Sequence, residues 1–180
     1  MIQSVAGFSS VTVFADCGVT PYQAQYRHVG DAVARRKVHL VCGACNGEWP
    51  RALVDSALAQ GGTVTVCAAG EKVPSLPRGV IVEMLGDARA AGARAASLGH
   101  ALIGLPGGLG AVSTLYNAWA DSGGAQGGKP VGLLNRHNAC EVGRGFMTDI
   151  AAVGLGGVDH LVQVSDNFED LWMRLARIVE

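Results

Sequence analysis

Leu105-Pro106-Gly107-Gly108-Leu109-Gly110-Ala111-Val112-Ser113-Thr114 follows an apolar run, Ala101-Leu102-Ile103-Gly104-Leu105, and runs into Leu115-Tyr116-Asn117-Ala118-Trp119. The order reads as buried strand, glycine turn, helix start. Such a turn aims several backbone N–H groups and the positive end of a helix at one point, whose natural occupant is a phosphate or another anion. Pro106, Gly107, Gly108, Leu109, Gly110 and Ala111 are therefore the expected anion-binding residues, and a nucleotide-like ligand is the expected guest.

Outward from that turn, strands and helices alternate. Strands are expected at 11–15, 38–42, 63–67, 80–84, 101–105, 129–135 and 160–164, and helices at 21–35, 51–60, 86–98, 113–121, 143–153 and 167–179. Pro50 suits a first helical position and Gly61-Gly62 a stop. Alternation of this kind implies an α/β protein with a mostly parallel sheet and helices on both faces. No repeat or linker divides residues 1–180, which read as one domain. In such sheets ligands lie outside the carboxyl ends of strands, near the point where strand order reverses. Asp16, Cys17, Gly43, Cys45, Asn46, Cys67 and Asn135 stand at those ends and join the glycine turn as site candidates.

Composition bounds the rest. The chain has 180 residues, 49% hydrophobic and 16% charged, with 26 glycines and a formal net charge of -1. There is no basic footprint for DNA or RNA. Low charge with positive mean hydropathy suggests surface hidden in a symmetric homodimer. No run approaches the length of a membrane span, and the first ten residues lack the basic start of a signal peptide. Five cysteines, several on expected strands, read as reduced thiols in the cytoplasm.

The order of these segments resembles the LOG ("Lonely guy") family of cytokinin riboside 5'-monophosphate phosphoribohydrolases. The family motif P-G-G-x-G-T-x-x-E stands here as Pro106 to Thr114. Lys129-Pro130-Val131-Gly132-Leu133-Leu134-Asn135 looks like the family's K-P-V-G-L-L-N strand, in register with the motif. Ala52 to Gly62 looks like the helix after the family's Y-G-G-G loop. The resemblance covers nearly the whole chain. It implies a Rossmann-like three-layer sandwich, a homodimer, no metal or other cofactor, and hydrolysis of the N-ribosyl bond of a nucleoside 5'-monophosphate. The phosphate would sit on the turn from Gly107 to Ala111.

The departures from the family fall on the chemistry. Its motif Glu is Thr114, its motif Thr is Ala111, and its Y-G-G-G loop is Cys42-Gly43-Ala44-Cys45. Its M-x-x-R-K is broken after Met84, which leaves Arg89 or Arg94 as replacements for the lost Arg. N-glycosidic cleavage builds positive charge on the ribose and needs an activated water; a carboxylate serves both needs and a threonine hydroxyl neither. Asp16 is the stand-in acid. Glu83 and Asp87 are further carboxylates, the first read as solvated and the second as a helix cap.

Cys42-x-x-Cys45 with Cys17 and Cys67 reads as small buried hydrophobes rather than a zinc site, while Cys45 alone faces the expected cleft and could be a reactive thiolate. Trp49 is either a base-stacking ring or packing. His100 reads as an edge residue, and His137 and Asn138 as weak ligand contacts. Three functions compete: a divergent phosphoribohydrolase using Asp16, a non-hydrolytic carrier or sensor of a phosphorylated ligand, and an enzyme of different chemistry using the thiols. The first is the leading expectation.

Overall fold

The computed structural model describes residues 7–72, 74–122, 129–136, 145 and 162–179. Seven strands form one parallel sheet: β1 (Ser10–Phe14), β2 (His39–Ala44), β3 (Val64–Ala69), β4 (Ile81–Leu85), β5 (Ala101–Gly104), β6 (Val131–Leu134) and β7 (Val162–Ser165). Their order is β4-β3-β2-β1-β5-β6-β7, and every pairing is parallel. The chain builds outward from β1 to β4, then returns to the far side of β1 and builds outward again. The reversal falls between β1 and β5.

Five helices cover the sheet among the described residues: α1 (Gln23–Arg35), α2 (Arg51–Ala59), α3 (Ala88–Leu98), α4 (Leu109–Asp121) and α5 (Phe168–Val179). The expected α/β architecture, a Rossmann-like three-layer sandwich, is the one observed, with a sheet wholly parallel in its described strands. β1, β5 and β6 are buried throughout because helices lie on both faces.

The two faces are packed unequally. Under α1, α2 and α5 one continuous core joins Val11, Val13, Tyr26, Val33, Leu40, Leu53, Leu171 and Trp172. Under α3 and α4 the core breaks into two smaller clusters, one around Phe14, Leu102, Leu115 and Trp119, the other around Val41, Cys67, Ala91 and Ala95. The first face is tight enough that α1 and α2 touch backbone to backbone. A Cβ on Gly30 would collide with the carbonyl oxygen of Leu53, so only glycine allows this approach.

Two elements differ usefully from expectation. α4 begins at Leu109, four residues before the expected start, because Gly108 in extended backbone serves as its N-cap. Half of the glycine motif is therefore first helical turn. β2 runs on to Ala44 and ends in a tight turn at Cys45–Glu48, where Asn46 (φ 52°) and Gly47 (φ 81°) both take the left-handed region. Apart from Gly145, the expected helix at 143–153 lies outside the described residues, as do His137, Asn138 and the first two residues of the expected last strand.

Candidate functional site

The loops after β1 and β5 flank the point of reversal, and the structure joins them there. The Asp16 carboxylate accepts the Gly108 N–H at 2.8 and 3.0 Å through its two oxygens. This close approach depends on Gly107, where a Cβ would meet Oδ1 of Asp16 at 2.8 Å and Cγ at 3.0 Å. Beneath the contact lies Tyr26, fully buried on α1. Its hydroxyl donates to the carbonyl of Pro106 (2.8 Å) and accepts the N–H of Asp16 (2.9 Å). One phenol thus locks both loops. Burial raises the Tyr26 pKa to about 12, so the donor stays protonated across the physiological range.

Between these loops and the ends of β2 and β3 opens a cleft of about 620 Å³. Its wall on the α3 side is Ala88, Ala91, Gly92 and Ala95, and its wall on the α4 side is Gly110, Ala111 and Thr114. Asp16, Cys17, Gly43, Cys45 and Asn46 close it from the sheet side. The small residues of α3 recur at helical spacing, so one stripe of the helix faces the cleft. α3 and α4 are in ordinary contact here, since a Cβ on Gly92 would lie 3.4 Å from the Thr114 methyl.

Most of the expected residues converge here, but not all. Pro106, Gly107, Gly108 and Leu109 frame the turn without lining the cleft, and Leu109 is 85% exposed. Of the expected anion nest, the Gly108 N–H is occupied by the protein's own carboxylate, whereas the first-turn amides of Leu109, Gly110 and Ala111 have no intrahelical acceptor. Thr114 lines the cleft, yet its hydroxyl donates back to the Gly110 carbonyl at 2.8 Å. It is a helix-bonded threonine, not a poised acid.

Arg89 and Arg94 are a correction to the expected site. On a helix of 3.6 residues per turn they stand about 110° to either side of the small-residue stripe, which turns both away from the cleft. Each is held in an ion pair instead, Arg89 with Asp121 at 2.8 Å and Arg94 with Glu83 at 2.6 Å. The guanidinium groups hold the carboxyls of Asp121 and Glu83 below the usual carboxylate range. No lysine or arginine among the described residues lines the cleft.

Asp87 caps α3, its carboxylate accepting the Ala90 N–H at 2.7 Å, as its position predicted. Trp49 is buried in the larger core under the Arg51 guanidinium, 4.5 Å from the ring centroid, so packing is its role. His100 lies not at a sheet edge but just before the central strand β5, at the amino-terminal end of the sheet, with its ring 3.1 Å from the Ser10 hydroxyl and away from the cleft. Asn135 is buried at the end of β6, outside the cleft lining.

The cysteines divide. Cys42 and Cys67 are fully buried, and burial pushes both thiols up, Cys67 to about 11. Cys17 and Cys45 line the cleft with accessible side chains, and the buried Cys67 forms part of its floor. The Cys17 thiol donates to the Gly43 carbonyl oxygen at 3.8 Å. The neighbouring Cys45, together with burial, raises the Cys17 thiol, and Cys17 in turn brings Cys45 down to about 7. Among the described residues no group of three or more His, Cys, Asp or Glu side chains is arranged to hold a metal ion.

Two features escaped the sequence reading. Tyr26 read only as part of an apolar helix face. The cleft-facing stripe of α3 read only as an alanine-rich helix, although its 88, 91, 92, 95 spacing was the available signal.

A sheet parallel throughout its described strands, with a cleft at the strand-order reversal bounded by a helix N-terminus, defines a Rossmann-like α/β protein with a candidate ligand site. No protein-family model matches the chain. A cytokinin riboside 5'-monophosphate phosphoribohydrolase from Rhodococcoides fascians is 33% identical over 136 residues, 70% of this chain and 67% of that protein. The chain belongs to the LOG family. Its fold is similar to that of TM1055, a structural genomics target (TM-score 0.69, 17% identity, 94% of this chain and 99% of that one). It is also similar to the molybdenum cofactor binding protein of the phototrophic bacterium Rippkaea orientalis (TM-score 0.68, 18% identity, 95% and 97%). No described helix is long and apolar enough to cross a membrane.

Proposed function

We propose that the cleft takes a nucleoside 5'-monophosphate and that the chain hydrolyses its N-glycosidic bond, with Asp16 as the working carboxylate. The observation that carries this reading is the Asp16–Gly108 contact. It holds a carboxylate at the cleft wall in a fixed orientation, on the strand next to the one that leads to the motif, after the motif's own acid has been lost. The named activity of the Rhodococcoides fascians relative supports the reaction class. In this mechanism the 5'-phosphate lies against the free first-turn amides of α4 at Gly110 and Ala111. As the base leaves, positive charge grows on the ribose, and Asp16 opposes it and accepts a proton from the attacking water.

The test is release of base and ribose 5-phosphate from a panel of nucleoside monophosphates, followed by chromatography, in wild type and Asp16→Asn. The amide oxygen of asparagine can still accept the Gly108 N–H, so the loop geometry survives while the charge is lost. Turnover should fall by about a hundredfold or more, with nucleotide affinity unchanged or tighter because a carboxylate no longer repels the phosphate. Absence of release with every base at high enzyme concentration refutes the reading, as does a wild-type rate in the variant.

A second reading is a carrier or sensor that holds a phosphorylated ligand without cutting it. The bonding of Thr114 back into its helix and a cleft lining without arginine favour it. It predicts thermal stabilisation by nucleotides with no product, and fails if no phosphate compound stabilises the protein. In either reading the protein acts as a homodimer, for which the exposed Leu109, Val112 and Tyr116 on α4 offer an apolar surface. The reduced cysteines suit the cytoplasm.

A further inference from the structure

Neither reading uses the two thiols at the cleft. Cys17 follows β1 and Cys45 follows β2, and these strands are neighbours in the sheet. The Cys17 thiol donates to the carbonyl oxygen of Gly43 at 3.8 Å, two residues before Cys45, and both cysteines line the same cleft. The pairing is held by the backbone. Gly18 N–H donates to Trp49 O at 3.0 Å, which clamps the two loops together. Cys45 and Glu48 exchange two main-chain hydrogen bonds of 2.8 and 2.9 Å across the Asn46-Gly47 turn. Cys45 is exposed and Cys17 half-buried, whereas Cys42 and Cys67 are buried, Cys67 in the floor of the cleft beneath them.

We propose that Cys17 and Cys45 form a peroxide-reactive thiol pair, a modification site at the cleft that closes to a disulfide between the β1 and β2 loops. The co-reactant is a hydroperoxide. The Cys45 thiolate attacks the outer oxygen, the O–O bond breaks, and the departing oxygen leaves as an alcohol, or as water from hydrogen peroxide, after taking a proton. Cys45 is now a sulfenic acid. The Cys17 sulfur then attacks the Cys45 sulfur, the S–O bond breaks, and hydroxide leaves as water with the Cys17 proton. Two thiols have lost two electrons and the peroxide has gained them. Cys17 plays both parts: as the adjacent thiol it favours the Cys45 thiolate, and as neighbour it resolves the sulfenic acid. The lowered Cys45 pKa of about 7 agrees with this geometry.

The experiment treats the full chain with hydrogen peroxide and follows intact mass and peptide mapping. The expected result is loss of two hydrogen masses, mapped to Cys17–Cys45 and reversed by a reducing thiol. Cys17→Ala should stop at a sulfenic acid that a dimedone probe traps. It should also slow alkylation of Cys45 by iodoacetamide at pH 7 about fivefold. Raising the pKa from about 7 to the ordinary 9.0 removes some fiftyfold of thiolate at pH 7, and higher intrinsic nucleophilicity restores roughly tenfold. A disulfide mapped to any other pair overturns the proposal. So does wild-type protein that keeps its mass under excess peroxide, or a Cys45 alkylation rate at pH 7 that is the same in both proteins. The wild-type measurements stand even if the variant folds poorly. They do not depend on whether the cleft hydrolyses a nucleotide.

Discussion

Replacing Tyr26 with phenylalanine removes one oxygen atom and leaves two main-chain groups without their partner. The ring is wholly buried, so its packing is retained. What is lost is a donor to Pro106 O at 2.8 Å and an acceptor for Asp16 N–H at 2.9 Å. The Pro106 carbonyl bond is buried and the Asp16 amide bond only partly so. An unsatisfied buried polar group costs about 1–3 kcal/mol. Taking the middle of that range for the carbonyl and the lower end for the amide gives about 3 kcal/mol. In a chain of this size each kcal/mol moves Tm by about 2–4 °C, so Tyr26→Phe should melt about 6–12 °C below wild type. Urea titration should show the same loss as a lower midpoint with an unchanged slope. A loss under about 0.5 kcal/mol would refute the reasoning, because it would mean that water or a shifted loop satisfies both groups at no cost.

The same phenol makes a pH prediction. Its folded pKa, about 12, exceeds the unfolded value near 10, so the native state binds the extra proton between them. Tyr26 therefore contributes full stability below about pH 10, lost progressively as pH rises toward 12, and its tyrosinate absorbance should appear together with unfolding rather than before it. Gly107→Ala drives a methyl into the Asp16 carboxylate and should break the Gly108 contact, costing about 1–2 kcal/mol and displacing Asp16; a crystal structure of the variant with that contact intact would contradict it. Gly30→Ala forces α1 off α2 and should cost about 3 kcal/mol or more by urea denaturation, with wild-type stability as the contrary result.

The architecture was legible because its signals are local and repeated. Apolar runs such as 101–105 and 129–135 can be buried on both faces only in a parallel sheet, and the glycine motif marks a strand-to-helix turn wherever it stands. The family blocks fixed the register of the second half. The site was legible only in part. Asp16 could be named because it ends a strand, but its bond to Gly108 spans 92 positions and leaves no periodic trace. Arg89 and Arg94 were misassigned because broken motif spacing says nothing about which way a helix faces; the alanine and glycine positions between them decided that. Tyr26 went unnoticed as a clamp because a buried phenol and a buried phenyl look alike in a hydrophobic pattern.

The uneven packing of the two faces carries one more consequence. Where α3 turns only the small side chains of Ala88, Ala91, Gly92 and Ala95 toward the cleft, its space is left unfilled by the helix. A guest seated there fills that space, so occupancy and thermal resistance should climb together with guest concentration. A bulkier side chain at Ala91 or Ala95 would compete for the same space. Such a variant should melt at a higher temperature and lose any stabilisation by a guest.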